Sequence, residues 1–140
     1  MVTSSATSLF THIDLVGVTV PDQEEALEWF TRKLDFEVRE DNPMPDGGRW
    51  VTVGISGQDD FKVVLQPPEW GPGDSIAERE ARIGTDMLTM HTEDIDRTVN
   101  TLRERGVTIT SEPEAVPWGS YALFEDPFGN IHQVIEPPEE

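Results

Sequence analysis

LVGVTVPDQEEALEWFTRKLDFEV, residues 15–38, can be laid over MLTMHTEDIDRTVNTLRERGVTI, residues 87–109. Each segment opens on an alternating strand and reaches an acid suited to capping a helix, Asp22 or Asp94. Each then runs about three helical turns and enters another strand. In the first helix Ala26, Leu27, Phe30 and Leu34 share one face, while Glu24, Glu25 and Glu28 lie towards water. In the second, Ile95, Val99 and Leu102 make the apolar stripe. Asp22 to Asp94 and Phe30 to Leu102 are both 72 positions apart.

The match continues outward. GGRWVTVGI (47–55) answers WGSYALFED (118–126), with Gly48 to Gly119 and Trp50 to Tyr121 both 71 apart. FKVVLQP (61–67) answers HQVIEP (132–137), which sets Lys62 on Gln133 at the same spacing of 71. Each half therefore reads β-α-β-β-β, an α+β pattern. A connector broken by Pro and Gly separates the halves, with room for one helical turn near Ala77–Arg82. Two copies of so long a repeat do not make a solenoid. They make one domain over 12–137, with modules at 12–67 and 84–137, a connector at 68–83 and a flexible N-terminal tail at 1–11.

Composition narrows the functional classes. Among 140 residues, 28 acids against 10 bases give a net charge of −18, and Lys33 and Lys62 are the only lysines. Such a surface repels phosphate backbones and anionic lipid, so neither nucleic acid nor membrane is an expected partner. Acids spread along the whole chain with few lysines read as adaptation to high salt, where screening removes self-repulsion. With no cysteine, disulfides, thiolate metal sites and cysteine nucleophiles are excluded. The apolar runs are short and the N-terminus lacks an export pattern, so a soluble cytoplasmic protein is expected. No P-loop, GxGxxG or G-x-S-x-G is present, which leaves nucleotide and hydrolase readings without local support.

The repeat, the D-Q-x-x-A-L-x-W-F-x-x-K-L-x-F-E-V run at 22–38 and the D-P-F-G-N turn at 126–130 resemble the vicinal oxygen chelate superfamily. That group includes glyoxalase I, bleomycin-resistance proteins, fosfomycin-resistance enzymes and extradiol dioxygenases. The resemblance implies a cupped half-barrel around a cavity, usually in a homodimer. In metal-using members one ligand comes from each first strand and one from each last strand, typically His and Glu. Carried onto this chain, those positions are Leu15, Met87, Lys62 and Gln133, a set with little to offer a divalent ion. A slip in the first module would offer Val63 or Val64 instead. No metal or other cofactor is therefore expected.

The candidate ligand-binding residues are Trp50, Lys62, Met87, His91, Trp118, Tyr121 and Gln133. Trp50 and Tyr121, at matching positions, either sandwich a planar ligand or serve the core or a dimer interface. Trp70 in the connector is either a lid or a loop anchor. Lys62 is set to meet an anionic ligand, to pair with an acid such as Glu136, or to lie exposed on an edge strand; Arg49 is a second anion contact. His91 shares the strand face of Met87, whereas His132 has the opposite parity to Gln133 and is expected on the outer or interface side. The leading expectation is metal-independent binding of a small hydrophobic or aromatic molecule. The alternatives are a divalent-metal lyase, isomerase or dioxygenase rebuilt around His91 and Gln133, and a dimerisation module without a small ligand.

Overall fold

The computed structural model describes residues 8–45 and 47–139, so most of the expected tail, residues 1–7, lies outside it. Module one runs β1 (Leu15–Thr19), α1 (Gln23–Leu34), β2 (Glu37–Pro43), β3 (Arg49–Gly54) and β4 (Lys62–Gln66). Module two runs β5 (Thr89–His91), α3 (Ile95–Glu104), β6 (Thr108–Val116), β7 (Gly119–Glu125) and β8 (Ile131–Glu136). Between them lie a 3-10 turn at Pro68–Trp70 and a short α2 (Ile76–Glu80), close to the single helical turn expected in the connector. The sheets order as β1-β4-β3-β2 and β5-β8-β7-β6, with β1–β4 and β5–β8 parallel and the other pairs antiparallel. The α+β class and the paired βαβββ modules are as the repeat implies.

Both capping acids act as expected. The Asp22 carboxylate accepts from Glu25 N at 3.0 Å and that of Asp94 from Arg97 N at 3.1 Å. Each such cap stabilises its helix by about 1 kcal/mol. Alternate strand positions then meet the apolar helix faces. Val18, Val20, Val51, Val53, Val63 and Leu65 bury against Ala26 and Phe30. In module two Ala122, Phe124 and Val134 bury against Ile95, Val99 and Leu102.

Helix α1 serves both cores. Trp29 stacks on Phe124 at 6.5 Å and Phe30 meets His132 edge-on at 6.1 Å, both rings on the helix-bearing face of the second sheet. Leu88 and Met90 reach the other way, into the first core. The helix ends meet reciprocally: Lys33 Nζ donates to the Arg105 carbonyl, and Arg105 donates to the Lys33 carbonyl at 2.9 Å and pairs with Asp35. These contacts run through or beside the helix-bearing faces, and one more hydrogen bond joins the modules at the edge of β1, where Thr19 N donates to Asp86 at 3.1 Å. Among the described residues, the side chains that pack from one module onto the other's core do so on these helix-bearing faces.

The register corrects one equivalence. Gly17, Val64 and Thr52 form a row across β1, β4 and β3, and Thr89, Gln133 and Leu123 form the same row across β5, β8 and β7. Val64, not Lys62, is thus the structural counterpart of Gln133. The cause is the β3–β4 connection, in which Thr52 and Val64 are 12 positions apart while Leu123 and Gln133 are 10 apart.

Candidate ligand site

The open face of module one carries a cluster that the strands set in register. Glu40 lies opposite Thr52, and Asn42 opposite Trp50, so Glu40, Trp50 and Thr52 share a face. Glu40 Oε1 accepts from Trp50 Nε1 at 3.0 Å and from Thr52 Oγ1 at 3.0 Å. Lys62 Nζ stands 3.5 Å from the same oxygen and 3.9 Å from Asp14. The hydrogen bond from Trp50 first, then that from Thr52, holds the Glu40 carboxyl below its ordinary range and keeps it charged. The Trp50 ring is stacked on Trp70 at 6.2 Å and 25°, so Trp70 anchors Trp50 from the connector. Beside them Arg39 donates to the carbonyls of Ile55 and Gln58. Its guanidinium comes within 2.7 Å of where a Cβ on Gly54 would sit, so a side chain there would displace the end of Arg39.

Module two brings together a second group. Thr89 and Gln133 are joined by a 3.1 Å hydrogen bond, and His91, Ile135, Tyr121 and Glu114 form the next row on the same face. His91 is exposed on it. Met87 precedes β5 and is 55% exposed; Trp118 sits at the β6–β7 turn and is 62% exposed. Among the described residues no ring contact joins Trp50 to Tyr121, so one chain by itself does not make the aromatic sandwich. Cavities of about 560, 390 and 430 Å³ lie along the module junction and at the end of β8. Lys62 and Met87 line the second and His91 the other two, while none is lined by Trp50, Trp118, Tyr121 or Gln133.

Three expectations change. Arg49 is engaged by Asp41 through paired contacts of 3.0 and 2.8 Å and by Glu24 at 2.7 Å, which raises its pKa and leaves it no role as an anion receptor. Lys62 pairs with Glu40 and Asp14, not with Glu136, whose carboxylate instead accepts from Ile95 N at 2.8 Å. His132 is neither outer nor interfacial. It is fully buried on the helix-bearing face, where Nδ1 accepts from Leu88 N at 3.0 Å and Nε2 donates to Asp126 at 2.8 Å. Accepting at Nδ1 places the ring proton on Nε2. The D-P-F-G-N-I-H segment is therefore a structural clamp.

The positions that carry metal ligands elsewhere in the superfamily hold Leu15, Met87, Gln133 and, by register, Val64. Two aliphatic chains, a thioether and an amide already bonded to Thr89 do not fit a divalent ion. Nor do ligands gather around His91: among the described residues no group of three His, Asp or Glu side chains converges.

The sequence of residues 12–134 matches the profile of the Glyoxalase/Bleomycin resistance protein/Dioxygenase superfamily. The chain belongs to that superfamily. Its fold is the glyoxalase/bleomycin-resistance fold, of the cupped half-barrel class. The uncharacterized protein YurT of Bacillus subtilis is 34% identical over 125 residues, which is 89% of this chain and 98% of that protein. TnmS3, an antibiotic binding protein from Streptomyces sp. CB03234, is 31% identical with a TM-score of 0.76, covering 94% of this chain and 99% of its own. A superfamily member from Sphaerobacter thermophilus is 33% identical with a TM-score of 0.75, covering 92% and 99%.

Proposed function

We propose that this superfamily member binds a small, planar, largely apolar molecule without a metal ion. In this reading the cup closes between module one of one copy and module two of a second copy. The carrying observation is Trp50, whose indole is fixed on an open sheet face by Glu40 and by stacking on Trp70. A ring fixed in this way loses little side-chain freedom when a ligand stacks on it, and stacking contributes about 0.5–1.5 kcal/mol beyond area burial. Tyr121, Leu123 and Ile135 on the open face of module two supply the facing apolar wall. The likeness to an antibiotic binding protein supports binding over turnover, since the matched chain is of nearly equal length.

The test is calorimetric titration with a panel of planar aromatic compounds, repeated in EDTA and with Trp50→Ala, alongside light scattering for the oligomeric state. Binding of one class of compound is expected, unchanged by EDTA and weakened about tenfold by Trp50→Ala, a dimer being the binding species. Binding abolished by EDTA, or a tight monomeric binder, would overturn the reading.

A further inference from the structure

We infer that Glu40 is the polar anchor of the aromatic cup and selects a ligand whose edge carries a neutral hydrogen-bond donor, a phenolic hydroxyl or an aromatic amine. The inference rests on the cup reading above and adds the chemistry of its recognition. Glu40 is presented by a β-bulge between Val38 and Glu40, which turns the side chain onto the open face beside Trp50. All its hydrogen bonds fall on one oxygen: Oε1 takes Trp50 Nε1 and Thr52 Oγ1, with Lys62 at 3.5 Å. Among the described residues Oε2 has no partner. A carboxylate has about four acceptor sites over its two oxygens, so the second oxygen of this half-exposed carboxylate keeps acceptor capacity. It stands at the edge of the ring on which a planar ligand would stack.

The surroundings decide what can donate to it. An anionic group would meet the Glu40 carboxylate within a protein of net charge −18. A cationic group would meet the Lys62 ammonium, 3.5 Å from the same carboxylate. A neutral O–H or N–H escapes both penalties, and its bond to a charged acceptor is of the stronger kind. Lys62, held only at 3.5 and 3.9 Å from its carboxylates, keeps donor capacity for an acceptor atom next to that group.

Isothermal titration of the wild-type protein and Glu40→Gln with 2-naphthol, 2-methoxynaphthalene and protonated 2-(aminomethyl)naphthalene tests this. In the wild type the naphthol is expected to bind about tenfold more tightly than the ether, the low end for a hydrogen bond to a charged group. In Glu40→Gln that preference falls below about threefold, with near-ultraviolet dichroism reporting whether the Trp50 site is intact. Equal binding of naphthol and ether by the wild type overturns the anchor but leaves the cup. A preference retained in Glu40→Gln overturns the anchor too, and tighter binding of the ammonium compound overturns the neutral-donor assignment. If no naphthalene compound binds the wild type at all, the cup itself falls and the anchor with it. The wild-type comparison stands even if the variant proves unstable.

Discussion

Asp126→Asn is the substitution whose cost the geometry predicts most directly. The Asp126 side chain is fully buried and accepts from four donors: Phe128 N at 2.9 Å and Asn130 N at 3.0 Å on Oδ1, Asn130 Nδ2 and His132 Nε2 at 2.8 Å each on Oδ2. An asparagine keeps one oxygen and turns an amide N–H₂ towards the other pair of donors, whichever way it is flipped. A change of tautomer at His132 gives no escape, because its Nδ1–H would then face Leu88 N–H. Two buried donors are thus left facing another donor, at about 1–3 kcal/mol each, so a loss of about 2–5 kcal/mol is expected. That is a large part of the stability of an ordinary domain.

The pH dependence carries an independent signature. Burial alone would push the Asp126 carboxyl up, but hydrogen bonds from His132, Asn130 and the Phe128 amide outweigh it and hold the group below its ordinary value of 3.8. A depressed folded pKa gives stability that is present above the ordinary value and lost as pH falls through the folded one. Urea unfolding of wild type and Asp126→Asn between pH 7 and pH 3 should therefore show a constant gap down to about pH 4 and a shrinking gap below it. A gap under about 1 kcal/mol at pH 7, or one that persists undiminished in acid, would refute the clamp as drawn here.

Other perturbations follow from equally local geometry. Gly119→Ala places a Cβ 2.2 Å from the Glu136 carbonyl at a φ of 132°, so a loss of about 2–4 kcal/mol is expected in chemical melts. Asp94→Ala removes the α3 cap and should cost about 1 kcal/mol, whereas Asp94→Asn should cost a few tenths at most. Trp70→Ala should leave the fold intact yet alter the near-ultraviolet dichroism of Trp50 and weaken aromatic ligands, since it removes the 6.2 Å stack. Raising KCl from 0.1 to 1 M shortens the screening length from about 10 to about 3 Å, and thermal scans should show a higher Tm, because −18 of net charge repels itself less.

The fold was legible because two periodicities, two capping acids and a constant offset agreed. The local signals at Asp22 and Asp94 are short-range chemistry, and short-range chemistry survives reading from sequence alone. The site was less legible, for identifiable reasons. The constant offset matched Trp50 to Tyr121 without saying which face of the sheet they take, and the offset of 71 carried across the β3–β4 connection missed its two extra residues and made Lys62 the mate of Gln133. Glu40 went unnoticed because VREDN reads as a solvated run of charge. Only the bulge after Val38 brings that carboxylate across to Trp50 and Thr52. His132 misled in the opposite sense: its parity opposite to Gln133 suggested the outer or interface side, yet that face is the one the helices cover, and its ring is buried between Leu88 N and Asp126.

The proposed assembly of the cup from two copies follows from the arrangement of the modules. Reciprocal bonds between Lys33 and Arg105, together with Trp29 on Phe124, spend the helix-bearing faces on joining the modules. β1 and β5 each stand at one edge of their sheet, and on the outer side of β1 Thr19 N donates to Asp86 of the second module at 3.1 Å. Around their starts lie exposed apolar side chains: Leu9, Phe10, Ile13 and Val16 before and within β1, and Met87 before β5. Exposed apolar groups beside strand edges are what the proposed pairing of copies would bury. In the proposed dimer a chain of charge −18 would meet its own copy against repulsion, so the seam would rely on burial of these side chains and on salt. If the cup closes between two copies as proposed, the acidity and the site are linked: salt that screens the charge would also favour the pairing that sets Trp50 of one copy opposite Tyr121 of the other.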